Sequence, residues 1–281
     1  MSRFMELQHR VASMSELQEI MGAMRSLAAV RVQEAQQALS GIRKYAEIMA
    51  QAIGRALLLQ PPSADGMASS GGRALVLCAS EHGFVGGFNE RLIEAVTPVL
   101  APGDRLFVLG TRGAALLAER GRELSWQRSI ATRVSGTPDT VNRLTTELYG
   151  QIARGDISTV ELMFTRYRQG ETSTIERRRL LPFDPSALPA VSGQLEPLHN
   201  LGSRDLLEQL VAEYVFALLT EAMAESIASE NAARFVAMES AHDNVSRRLV
   251  QLGQSVREAR QEEITSELLD LLTGSGALGP E

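Results

Sequence analysis

The sequence predicts a mixed α/β protein built on two long terminal helices that form an antiparallel coiled coil. Three observations predict it. Residues 203–273 contain no proline and a single interior glycine, Gly253; as one helix they would span ~106 Å at 1.5 Å per residue. Residues 3–57 also lack proline, giving a second helix of about 82 Å. Between these stretches, short Leu/Val-rich runs alternate with helical patterns. Ordinary globular helices run roughly 8–20 residues, so helices this long with narrow apolar stripes seek another long helix.

The first stripe runs through Phe4, Leu7, Val11, Met14, Leu17, Met21, Met24, Ala28, Val32, Ala35 and Leu39, and on to Ile53 and Ala56. Ser2 is placed to cap this helix, and Glu6 lies in its first turn, where negative charge is favoured. Gly22, Gly41 and Gly54 each cost it roughly 1 kcal/mol relative to alanine; they read as tolerated rather than as close-approach sites. Residues 59–72, with Pro61, Pro62, Gly66, Gly71 and Gly72, form a linker.

The central segment, residues 73–190, follows. Strands are expected at 73–79, 105–109, 157–165 and 173–181, with helices at 88–100, 111–120 and 138–153. A turn at Arg168-Gln169-Gly170-Glu171 separates the last two strands. Strands alternating with helices imply a mostly parallel sheet of βαβ units, a small Rossmann-like α/β domain. Arg177, Arg178 and Arg179 read as a solvated strand edge protected by charge, with a docking patch as the other reading. Residues 191–202 are a second linker, and residues 203–281 hold the C-terminal helix, begun by Ser203 with Asp205 and Glu208 behind it. Prolines at both junctions put both helix feet at the α/β domain, so the helices must run antiparallel. With the feet level, residues 258–273 overhang, and Ile264, Leu268, Leu269, Leu271 and Leu272 make that tip apolar on more than one face.

Composition excludes several classes. The net charge of −6 gives no basic excess for nucleic acid. No apolar run reaches the ~18 residues of a membrane span, and no signal-peptide stretch is expected at the N-terminus. One cysteine, Cys78, excludes an internal disulfide; at the end of a buried strand it reads as core rather than nucleophile. His9, His82, His199 and His242 are scattered, so no metal and no cofactor are expected. The loop Ser80-Glu81-His82-Gly83-Phe84-Val85-Gly86-Gly87-Phe88-Asn89 lies between strand and helix, where nucleotide folds bind phosphate. Its glycines fit neither G-x-G-x-x-G nor a P-loop. Gly83, Gly86 and Gly87 read instead as a tight turn with close helix packing. No nucleophile elbow is present, and no catalytic residue is assigned.

Two blocks in the C-terminal helix carry a resemblance. Ala228-Ser229-Glu230-Asn231-Ala232-Ala233-Arg234-Phe235-Val236-Ala237-Met238 and Ala259-Arg260-Gln261-Glu262-Glu263-Ile264-Thr265-Ser266-Glu267 resemble the signature of the gamma subunits of F-type ATP synthases. Ile20-Met21-Gly22-Ala23-Met24 with Ala28 to Arg31 is similar to that family's N-terminal pattern. The central loop departs from it: Glu81-His82 replaces an Asp-basic pair and Phe84-Val85 replaces Leu-Cys. That puts contacts of this loop in question and suggests a variant rotary enzyme, with proton or sodium as the ion.

The resemblance implies a non-catalytic rotor shaft, one copy per complex. Its partners would be the alpha and beta subunits of the catalytic hexamer, the epsilon subunit and the membrane c-ring. It implies a peripheral place on the cytoplasmic face of a bacterial inner membrane. By position, Met24, Arg234, Gln261 and Thr265 match residues that face the beta subunits, and Asp270 stands where an acidic residue is common. Two other classes stay open: a coiled-coil scaffold with an inserted α/β domain, and a nucleotide-binding enzyme using the glycine loop.

Overall fold

The computed structural model describes residues 3–59, 71–168, 170, 173–184, 186, 188 and 199–276, with side chains up to residue 269. Ser2, most of the 59–72 linker, Gln169, Glu171, Pro185, Pro189, Pro197, Gly279 and the side chains of Asp270, Leu271 and Leu272 lie outside the described residues. The chain divides into two compact units, residues 28–234 and residues 1–27 with 235–281.

The elements in order are α1 (Arg3–Leu59), β1 (Gly72–Cys78), α2 (Phe88–Val96), β2 (Arg105–Leu109) and α3 (Thr111–Glu119). They continue as β3 (Trp126–Arg128), α4 (Thr137–Ala153), β4 (Ile157–Arg166), β5 (Thr174–Leu181) and α5 (Ser203–Gly276). Both terminal helices therefore form as their stripes predict. The five-stranded sheet has the order β3-β2-β1-β4-β5. β1 pairs parallel with β2 and β4, and β3 parallel with β2, while β5 closes the edge antiparallel to β4.

Strand β1 explains the layering in the larger unit. It is buried on both faces, as central parallel strands are. Ala74, Val76 and Cys78 point to one side, where Val141, Leu144 and Leu148 of α4 and Val215, Leu219 and Met223 of α5 complete a core. Leu75 and Leu77 point to the other side, against Leu92, Ile93 and Val96 of α2 and Ala114 and Leu117 of α3.

Two expectations need correction here. Helix α2 stops at Val96 rather than continuing to residue 100. Pro98 has no N–H for the helical ladder, and the amides of Val99 and Leu100 turn back to the Val96 carbonyl at 2.9 and 3.1 Å. Strand β3 has no counterpart in the sequence reading. Three residues are too few to show a period, and its place is fixed by tertiary contact, with the Trp126 ring 5.8 Å from that of Phe107.

The arginine cluster is less solvated than expected. Arg177 donates to Glu161 at 2.7 Å and Arg178 to Glu176 and Glu221 at 2.7 and 2.8 Å. The Arg178 guanidinium also lies 5.3 Å from the Phe164 ring centre. Of these acids Glu161 is on β4, Glu176 on β5 and Glu221 on α5, which also supplies Glu225. Glu225 is fully buried; it accepts from Arg43 of α1 and, at 3.0 Å, from the Tyr167 amide just after β4.

Both units show the helices antiparallel. In the larger one Arg43 meets Glu221 and Glu225, while Tyr45, further along α1, donates to Glu213, further back on α5. Small residues line the contact: Ala35 of α1 packs with Ile227 and Ala228 of α5. In the smaller unit Gln18 donates to Ser246 at 2.6 Å, and Arg3 pairs with Glu262 at 3.1 Å. Pairing with α1 thus reaches Glu262, beyond the residue 258 at which the overhang was expected to begin. Gly22 and Gly41 bear out the tolerant reading: a Cβ on either would meet nothing within 4 Å.

Glu225→Ala should lower stability by ~2 kcal/mol, because it removes the closer of the two carboxylates that Arg43 meets and leaves the Tyr167 amide without its acceptor. Removing the exposed Arg204–Glu208 pair should change it little. The urea midpoint reads both; equal small shifts would show that Glu225 is not holding these elements together. In the smaller unit, Gln18→Cys with Ser246→Cys should form a disulfide under mild oxidation, and a Gln18→Cys, Arg260→Cys pair should not.

Candidate functional site

The glycine loop is held by its own polar groups. The Ser80 amide donates to Asn89 Oδ1 at 3.0 Å, and Asn89 Nδ2 returns to Ser80 Oγ at 2.7 Å. Both residues are buried. Ser80 Oγ in turn donates to the His82 carbonyl at 2.9 Å.

Glu81, the departure from the family motif, has a definite structural task. One carboxylate oxygen accepts from the Thr111 amide at 3.1 Å and the Ile130 amide at 3.0 Å, the other from Thr111 Oγ1 at 2.8 Å. Thr111 opens α3, whose N-terminus is positive. Burial alone would raise the Glu81 carboxyl. Hydrogen bonds from Thr111 and Ile130, with His82 nearby, outweigh it and hold Glu81 below the usual carboxylate range.

The loop glycines only partly match expectation. Gly86 has φ +53° and takes the turn. A Cβ on Gly83, Gly86 or Gly87, however, would meet nothing within 4 Å, so they do not mediate close packing within this chain. Close packing falls on Gly110 and Gly113 instead, where a Cβ would come within 2.5 Å of the Ala79 carbonyl and 2.1 Å of the Ala79 Cβ. Phe84 is also left-handed, with φ 60°, and is 68% exposed. For a non-glycine residue that conformation costs about 1–2 kcal/mol.

Arg234 is brought to this loop. It donates to Glu230 at 2.6 Å and Asn231 at 3.0 Å, with a longer 3.4 Å bond to the Gly83 carbonyl. It is buried, as is Glu230, whose carboxyl burial pushes up against the pull of Arg234. No local pattern around either residue signals that Arg234 and Gly83 meet.

The remaining predicted residues lie in the smaller unit. Met24 is half-buried on α1. Gln261 and Thr265 are exposed one turn apart on α5, with Thr265 Oγ1 donating to the Gln261 carbonyl at 2.8 Å. The Asp270 side chain lies outside the described residues. Large apolar side chains stand in solvent on both helices of this unit, among them Ile20, Val236 and Val250. Beyond the Arg3–Glu262 pair, Ile264, Leu268 and Leu269 are about half exposed.

The chemistry of the site is structural. Burial pushes the Cys78 thiol up to about 12, which keeps it protonated and in the core. Among the described residues, no cluster of His, Cys, Asp or Glu is arranged to hold a metal, and no helix is long and apolar enough to cross a membrane. Sequence reasoning singled out Glu81 but not its hydrogen-bonding role, and it missed Glu221 and Glu225. The available signal was acidic residues inside the Ala- and Met-rich run 215–231, too apolar on every side to be a solvated face.

The comparisons agree with this picture. The profile of a family described as ATP synthase matches residues 3–278. The chain is 28% identical over 216 residues to the ATP synthase gamma chain of Verminephrobacter eiseniae (strain EF01-2), covering 72% of each. It is 29% identical over 215 residues to that of Methylibium petroleiphilum, covering 73% of this chain and 72% of the other. Among solved structures, the rotor of the Euglena gracilis mitochondrial ATP synthase superposes with a TM-score of 0.61 at 12% identity, over 93% of this chain and 98% of that one. The central stalk of the Tetrahymena thermophila enzyme gives 0.54 at 17% identity, over 79% and 99%.

Glu81→Gln should destabilise the chain by ~1 kcal/mol through its weakened acceptor. The folded Glu81 value is depressed, so its contribution is present above the unfolded value of about 4.3 and is lost as pH falls through the folded value. The gap between wild type and variant should therefore be flat near neutrality and close in acid; a gap that widens in acid would contradict this role.

The family match over residues 3–278 and the likeness to ATP synthase gamma chains, on a fold of paired long helices and a small α/β domain, show that the chain belongs to the ATP synthase gamma family and is a non-catalytic rotor subunit.

Proposed function

We propose that segments 1–58 and 203–281 work as the shaft inside an alpha–beta hexamer. Segment 73–190 is the foot that meets the epsilon subunit and the c-ring. The single observation that carries this reading is the tip of α5. Beyond the Arg3–Glu262 pair, Ile264 and Leu268 remain about half exposed. Burying each such side chain is worth about 1.5–3 kcal/mol, which the chain alone does not recover, and a lone helical end of this length is marginal. An apolar-lined collar around the tip supplies what is missing, and the hexamer apex is that collar.

Met24, Gln261, Thr265 and Asp270 then face the beta subunits. Arg234, largely covered by its own chain, acts on the same partners by fixing the Gly83 turn and with it the strained, exposed Phe84. The complex sits on the cytoplasmic face of a bacterial inner membrane, reached through the c-ring rather than by a span of this chain. Rotation of an asymmetric shaft biases the nucleotide affinity of each beta site, so binding energy changes without chemistry in the rotor.

Hydrogen exchange tests the reading. Amides from 263 to 269 should exchange quickly in the free chain and become strongly protected once the alpha–beta hexamer is reconstituted around it. Equal protection in both states would mean that the tip is covered by its own chain and that the hexamer does not enclose it.

A further inference from the structure

Two cavities of the larger unit differ in how their charge is met. The bigger, of about 1080 Å³, is bordered by Arg43, Arg166 and Arg178. Each of these is already paired with Glu176, Glu221 or Glu225. Its positive charge is thus largely met within the fold, though Arg179 on its wall is left exposed.

The smaller cavity, of about 440 Å³, lies where the chain leaves β3 and enters α4. Arg128, Arg133 and Arg143 all line it. All three are exposed, and none of their side chains makes a hydrogen bond or ion pair among the described residues. The hydroxyls of Ser129 and Ser135, also on its wall, are likewise uncommitted. One carboxylate, Asp139, opposes them.

Three guanidiniums against one carboxylate leave this concavity with an excess of positive charge that an anion can join. Guanidinium forks match phosphate oxygens in pairs. The cavity sits at the carboxyl ends of parallel strands, where open α/β sheets bind ligands, and beside the start of a 17-residue helix whose dipole favours negative charge. No aromatic ring lines it, so it offers nothing for a base to stack on.

We propose that this cavity is an oxyanion site that takes phosphoryl groups, recognised by Arg128, Arg133 and Arg143. It adjoins the glycine loop through Ile130, whose amide Glu81 holds, and it does not depend on the rotor reading. The phosphoryl group can come from free phosphate or from a polyphosphate chain. Because the walls recognise only the phosphoryl oxygens, a nucleoside adds no affinity.

Titration calorimetry on the full chain, at about 0.15 M salt to screen loose association, tests this with inorganic phosphate, pyrophosphate and ATP as separate probes. The expected result is saturable binding that Arg133→Gln and Arg143→Gln each weaken by roughly tenfold. Arg122→Gln, an exposed arginine outside the cavity wall, should leave it unchanged, and Asp139→Asn should tighten it. Phosphate binding as tightly as pyrophosphate identifies the free anion as the source; pyrophosphate and ATP binding equally and more tightly identifies a phosphoryl chain. Either outcome supports the site. Failure of all three probes to bind the folded wild-type chain, or binding indifferent to Arg133 and Arg143, overturns it. So does a result in which only acidic peptides compete for the cavity. Thermal melts of each variant confirm that the exposed substitutions leave the fold intact.

Discussion

The buried acids of α5 are the constraint on which the rest of the larger unit depends. Glu225 has essentially no exposure and Glu221 little. An ionised carboxylate in such surroundings is tolerated only when paired and hydrogen-bonded. Its partners come from three other places: Arg43 on α1, Arg166 and the Tyr167 amide at the end of β4, and Arg178 on β5. Satisfying two carboxylates thus fixes the register of α1 against α5 and seats the sheet edge against both. Apolar burial alone would not fix that register, because the Ala-rich surfaces of α1 and α5 have few shapes to distinguish one alignment from the next. The small residues allow close approach, and the ion network selects which approach is used.

The same logic explains how much was legible in the sequence. Period and punctuation carried the two long helices, because a stripe repeated over dozens of residues outweighs any local propensity. They carried β1, β2 and β4 too, whose continuous apolar runs fit strands buried on both faces. Legibility failed where the deciding partner was distant. Trp126–Arg128 becomes a strand only because β2 is there to pair with it. Phe88–Val96 ends early for a local reason, Pro98, which the apolar pattern around it masked. Arg177 and Arg178 looked like an exposed edge because Glu161 and Glu221 are far away in the sequence and close in space.

The candidate site divides in the same way. Arg234 and the loop glycines stood out through residue type and family pattern, but their relation did not. A buried arginine reaching the Gly83 carbonyl is a tertiary fact. It changes the meaning of the residue, from a side chain held out toward a partner to one that sets the shape of a loop. Likewise the exposure of Phe84 in a left-handed conformation follows from the backbone path and not from any local motif, and such strain is commonest where a segment is held ready for contact.

The glycine loop also shows why a strand–loop–helix need not bind a nucleotide. In folds that do, helix N-terminal amides are left open and an external phosphate completes them. Here Glu81 reaches from the loop to the first amide of α3 and to the Ile130 amide after β3, and it does so as an anion whose ionised form those donors favour. The chain supplies its own negative charge at a position where an enzyme would recruit one. An internal carboxylate cannot leave, turn over or report on nucleotide supply, but it ties β1, β3 and α3 together continuously. Permanence at that position differs from ligand exchange, and the Glu81 side chain is long enough to reach both α3 and the segment after β3 at once.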